Sequence, residues 1–134
     1  MTSLIDIEGI GESYAEKLHE AGVASVEALL ERGATPAGRT TLAEASGIDH
    51  KHILKWVNHA DLFRINGVAG QYAELLEAAG VDTVVELGHR NAANLTVKVA
   101  EINEEHNLVN RVPSESEVER WIEEAKTLPR QVSY

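Results

Sequence analysis

A chain of 134 residues, with 22 acidic and 12 basic side chains and a formal net charge of −10, makes one domain or two very small ones. The absence of cysteine excludes a disulfide framework, a thiolate zinc site and a cysteine nucleophile. No apolar run approaches the roughly 18–20 residues of a membrane span, and Met1–Asp6 lacks the basic start and apolar stretch of a signal peptide, so a soluble cytoplasmic protein is expected. The hydrophobic periodicity is helical throughout. Tyr14, Leu18 and Ala21 fall at i, i+4 and i+7, with Ser13 and Glu16 spaced as a capping box and Gly22 placed at C′. A short second helix is expected to start near Ser25 and end at Gly33. Thr35-Pro36 reads as N-cap and N1 of a third helix, which stops at Gly47. Asp49 caps a fourth, with Ile53, Trp56, Val57 and Ala60 as its apolar face. The plan then recurs. Tyr72, Leu76 and Ala79 form a stripe closed by Gly80, and Thr83 with Glu86 boxes the next helix. Asn91 caps a longer helix through about Asn107, with Leu95, Val99 and Ile102 on one face. Ser114 with Glu117 boxes the last, whose stripe is Val118, Trp121, Ile122 and Ala125. No segment alternates with period two between hairpin turns. The expected fold class is all-α, with eight to ten short helices in one compact unit.

The recurrence is a tandem duplication. Ile7–Leu29 and Ile65–Leu87, offset by 58, are identical at 11 of 23 positions. Average residue usage would give about one or two. The match returns at an offset of 65, where Trp56 falls on Trp121, Ala60 on Ala125 and Ile53 on Val118. Seven extra residues therefore lie between Gly88 and Pro113. A unit of about 60 residues is small for independent stability. The expected organisation is residues 1–64 as the first unit, 65–129 as a second packed on it, and 130–134 as a fraying tail, whose Val132 and Tyr134 are alternatively able to dock on a neighbour. Tyr14/Tyr72 and Trp56/Trp121 are matched aromatics, which points to core positions.

The most specific local signal is Ile7-Glu8-Gly9-Ile10-Gly11 ahead of the first helix. Two glycines around an apolar residue permit a tight turn at positive φ. Ile10 is expected to plug inward while backbone N–H groups turn outward at the helix start. The second copy reads Gly67-Val68-Ala69-Gly70, with its second glycine displaced by one. The pattern resembles the hairpin of helix-hairpin-helix modules, in which such N–H groups grip a nucleic-acid phosphate.

A longer resemblance covers Ile7 to Pro129. It rests on Trp56-Val57-Asn58-His59-Ala60-Asp61-Leu62-Phe63-Arg64-Ile65, on Tyr72-Ala73-Glu74-Leu75-Leu76 running to Gly80-Val81-Asp82-Thr83, and on Trp121-Ile122-Glu123-Glu124-Ala125 running to Leu128-Pro129. These are similar to a bacterial family catalogued as domain of unknown function number forty-three thirty-two. The resemblance implies a doubled helix-hairpin-helix fold and supplies no activity.

Charge argues against phosphate at these loops, because phosphate contacts dominate nucleic-acid affinity. Residues 1–33 and residues 65–110 each carry seven acidic and two basic groups. Glu8 and Glu12 flank the first loop, and Glu74 and Glu77 lie behind the second. The strongest basic feature is a stripe of Lys51, Lys55 and His59 on the fourth helix, with His52 beside it, Arg64 following and Arg39 nearby. It is either a solvated helix face or a docking patch for an acidic partner or a phosphate backbone. Of the six histidines, His52 and His59 could share a helix face but have no carboxylate placed to complete a metal site, His50-x-His52 has the wrong spacing for one face, and no metal or cofactor is expected. No phosphate-binding loop, nucleophile elbow or zinc-protease pair occurs. The expectation is a non-catalytic module that binds a protein partner and no membrane. The alternative is sequence-independent DNA or RNA binding through the hairpin amides or the Lys51/Lys55/Arg64 stripe.

Overall fold

The computed structural model describes residues 1–134 and is all-helical: a single 3-10 turn at Leu4–Asp6, then α1 (Glu12–Glu20), α2 (Val26–Arg32), α3 (Pro36–Ser46), α4 (His50–Leu62), α5 (Gln71–Ala78), α6 (Val84–Gly88), α7 (Ala92–His106) and α8 (Glu115–Thr127). No helix is long and apolar enough to cross a membrane. The chain forms two compact units, Met1–Asp61 with Gln131–Tyr134, and Leu62–Arg130. The division falls within the last turn of α4, three residues before the repeat boundary at Ile65.

Local chemistry sets most helix ends. Ser25 accepts from the Ala28 N–H at 3.1 Å, Thr35 from Gly38 at 3.0 Å and Asn91 from Asn94 at 3.0 Å. Each side chain satisfies a helix donor that has no partner in its own helix. Asp49 Oδ1 accepts from the Lys51 N–H at 2.8 Å at the start of α4. α1 and α5 end alike: Val23 N–H donates to Leu18 O and Val81 N–H to Leu76 O, both at 2.8 Å. Gly22 and Gly80, each at φ +93°, make that reversal. The Ser13–Glu16 box does not form. α1 begins at Glu12 with Gly11 as N-cap, so Ser13 lies inside the first turn with no cap bond. Of the Thr83–Glu86 box only one half exists: Thr83 accepts from the Glu86 N–H, while the Glu86 carboxylate faces Arg90 at 3.9 Å.

The Ser114–Glu117 box is complete. Arg111 also donates to both Glu117 carboxylate oxygens, at 2.7 and 2.9 Å. The Arg111 guanidinium first, and the Ser114 N–H second, hold the Glu117 carboxyl at about 2, against an ordinary 4.5. A carboxyl depressed in the folded state adds stability above its ordinary pKa and loses it as pH falls through the folded value. Glu117→Gln is therefore expected to flatten the fall in the urea midpoint between about pH 4.5 and about pH 2. An unchanged pH profile would show that this pair contributes nothing to acid sensitivity.

Each unit builds its own core from matched residues. In the first, Ile7, Ile10, Leu18, Val23, Leu29, Ile53, Trp56 and Val57 are buried. In the second, Ile65, Val68, Leu76, Val81, Leu87, Val118, Trp121 and Ile122 take those places. α1 packs on α3 and on the 3-10 turn, and α2 on α3. In the second unit α8 packs on α6 and α7, and α5 on α7. The seven extra residues resolve into three changes. α6 is two residues shorter than α2, α7 four longer than α3, and the loop before α8 five longer than the loop before α4.

The tail does not fray. Val132 is buried, the Ser133 N–H donates to Ala34 O at 2.8 Å, and the Tyr134 hydroxyl donates to Asn58 Oδ1 at 2.7 Å. Backbone pairing and an apolar anchor hold these residues to the first unit.

Candidate functional site

The two glycine loops are built alike around a tryptophan. Gly9 (φ +93°) and Gly67 (φ +91°) occupy a conformation that side chains rarely adopt. A Cβ at Gly9 would lie 3.4 Å from Trp56 Nε1, and one at Gly67 would lie 3.3 Å from Trp121 Nε1. Glycine is thus favoured by the backbone angle at both turns, and at Gly67 a Cβ would also press slightly on the indole. Ile10 and Val68 are buried, and their N–H groups close the turns onto Ile7 O and Ile65 O, both at 3.1 Å. The second glycines differ from expectation. Gly11 sits at an ordinary φ of −86° with open space at its Cβ, so only Gly9 needs the left-handed region there. In the second loop Ala69 stands in the place of Gly11, and the displaced Gly70 is the N-cap of α5 at φ +46°.

The loops' electrostatics are acidic. Glu8 and Glu12 are exposed beside the first loop. Within the second, the Asn66 N–H already donates to the Glu124 carboxylate, at 3.2 and 3.4 Å to its two oxygens. An internal carboxylate therefore occupies the place where an anion would approach that amide. The N–H groups of Gly9 and Gly11 have no acceptor within the chain.

The basic stripe does not assemble as expected. Lys51 and His52 are exposed, and Lys55 and Arg64 are half-buried. His59 is 0% exposed, because α4 is buried all round from Trp56 to Leu62. Arg39 is 6% exposed. Its guanidinium donates to Gly33 O at 2.8 Å and Ser133 O at 2.7 Å, and lies over the Tyr134 ring at 5.5 Å. Arg39 thus holds the tail in place. Arg64 donates to Pro129 O at 2.7 Å. The His52 ring stacks on Trp56 at 5.4 Å and tilts against Tyr14 at 5.7 Å. Lys51 and Lys55, with His52 beside them, are what remains of the patch.

Three surface concavities lie within single units. The first, about 440 Å³, runs along the 3-10 turn and α1, with Leu4, Ile5 and Ala15 as apolar lining and Glu12, Glu16 and His19 as polar lining. The second, about 540 Å³, lies between Ala43 and His50. The third, about 230 Å³, lies beside Gly88 and Ala125. Each opens to solvent. No motif or charge cluster in the sequence marks the first. Its signal was Ile5, an apolar side chain next to the buried Leu4 on a one-turn element that cannot bury both.

The model of one protein family, described as Domain of unknown function (DUF4332), matches residues 8–128. No curated protein and no solved structure matched the chain.

Proposed function

We propose that this chain, which belongs to the DUF4332 family, is a non-catalytic interaction module: a twice-used helix-hairpin-helix frame that presents loops and helix faces to a protein partner. The observation that carries this reading is the acidity of both glycine loops. Glu8 and Glu12 flank the first, and Glu124 occupies the Asn66 amide of the second. Carboxylates so placed repel a polyanion, while the capped helices and buried Ile10 and Val68 give the loops a rigid frame. The proposed setting is the cytoplasm, a reading that the cysteine-free sequence supports.

One observation favours a second reading, sequence-independent nucleic-acid binding: the unengaged N–H groups of Gly9 and Gly11 at the start of α1. Anisotropy titrations with labelled duplex and single-stranded oligonucleotides at low salt separate the two. The module reading expects no saturable binding. Binding that weakens steeply with salt and is abolished by Gly11→Val would replace it with the second reading. Cross-linking in native lysate is expected to join the chain to a discrete protein through mapped surface residues. Recovery of no linked protein above control would count against the module.

A further inference from the structure

The repeated frame is open in one unit at a face that is closed in the other. In the first unit this face is formed by the 3-10 turn and α1. Ile5 is 59% exposed there, Ala15 is half-buried, and Glu16 and His19 are exposed. At the repeat offset of 58 these positions are Phe63, Ala73, Glu74 and Glu77. Phe63, Glu74 and Glu77 are half-buried, and Ala73 is 0% exposed. The difference is therefore not one of composition alone, since alanine against alanine shows it.

The open face is also held in shape. The Thr2 N–H and hydroxyl donate to the Glu27 carboxylate at 2.9 and 2.8 Å, and Thr2 O accepts from the Val26 N–H at 3.0 Å. This clamp fixes the segment carrying Leu4 and Ile5 against α2.

We propose that the groove along Leu4–Asp6 and α1 docks an amphipathic, basic α-helix of a partner protein. The inference rests on the module reading above and names its surface and its partner chemistry. Apolar residues one helical turn apart would seat on Ile5 and Ala15. Lysines or arginines on the flanks of that helix would face Glu12 and Glu16, which are one turn apart on α1. Charge decides against a second copy's terminal helix as occupant. α8 carries Glu115, Glu117, Glu119, Glu123 and Glu124 against Arg120 and Lys126, and would bring like charge to an acidic rim.

The test uses the full chain, isotopically labelled, and a synthetic helical peptide of leucine and lysine with one apolar face. Amide shifts are expected to concentrate on Leu4–Asp6 and Glu12–Glu20. Ile5→Asp and Glu16→Lys are each expected to weaken binding at least tenfold. Val97→Asp, the same change at an exposed apolar residue of α7, is expected to leave it unchanged. Ile5, Glu16 and Val97 are exposed, so all three variants are expected to keep the thermal unfolding profile of the parent. Absence of shifts, equal weakening by all three variants, or shifts on α8 instead would overturn the proposal. A cross-linked natural partner mapped to another continuous patch would sink this site and leave the module reading standing. Loss of both the peptide shifts and any cross-linked partner would sink the two together.

Discussion

Trp121→Ala is expected to lower the unfolding free energy by about 3–5 kcal/mol, and Trp56→Ala by a similar amount. Both indoles are buried, Trp121 at 1% exposure and Trp56 at 2%. Trp121 lies on the Tyr72 ring at 5.6 Å and beneath the Gly67 turn, on a helix face it shares with Val118, Ile122 and Ala125. Trp56 meets Tyr14 edge-on at 4.9 Å and stacks with His52 at 5.4 Å. Truncation to alanine removes the ring contacts and leaves a cavity under a glycine turn that is fixed at both ends by buried residues. The Trp121 Nε1–H has no hydrogen-bond partner. Trp121→Phe therefore sacrifices ring volume but no hydrogen bond, and is expected to cost clearly less than Trp121→Ala. Urea denaturation followed by far-UV circular dichroism measures all three variants. A loss below about 1 kcal/mol for either alanine variant would show that the surrounding frame collapses into the space.

The second large effect lies at a polar residue. Asn103 Nδ2 donates to Val109 O at 3.0 Å, and its Oδ1 accepts from the Val109 N–H at 2.8 Å. Val109 is itself buried, so one side chain satisfies both backbone groups of a residue removed from water. Each buried group left unpaired costs about 1–3 kcal/mol. Asn103→Ala is expected to lose about 2–4 kcal/mol on that account. Asn103→Leu, which keeps the volume and discards both bonds, is expected to lose about as much. A near-neutral Asn103→Leu in urea denaturation would show that the loop after α7 finds other partners for Val109.

The helical frame was legible because its determinants act within four residues. Ser25, Thr35, Asn91 and Ser114 cap their helices where local spacing puts them, since a cap bond spans only three positions. Ser13 has the right residue three positions on, yet α1 starts ahead of it, because the Gly9 turn sets where the helix can begin. The candidate patch was much less legible. Lys51 and Lys55 point away from the apolar face of α4 as the spacing predicts, while His59, on the same stripe, is buried with the rest of the helix end. Asn103 falls four residues after Val99 on the buried stripe of α7, and a polar residue at a core position was the available sign of its role.

Sequence by itself determined the duplication, the all-α class, the glycine turns and the matched tryptophans. All of these follow from residue identity, helical period and contacts along a short stretch of chain. Tertiary structure decided what became of the charged and terminal residues. Arg39 bonds Ser133, 94 positions away, and the tail closes over it. A guanidinium that reaches two backbone carbonyls and an aromatic face can leave water at low cost, and those three partners are brought together only by folding.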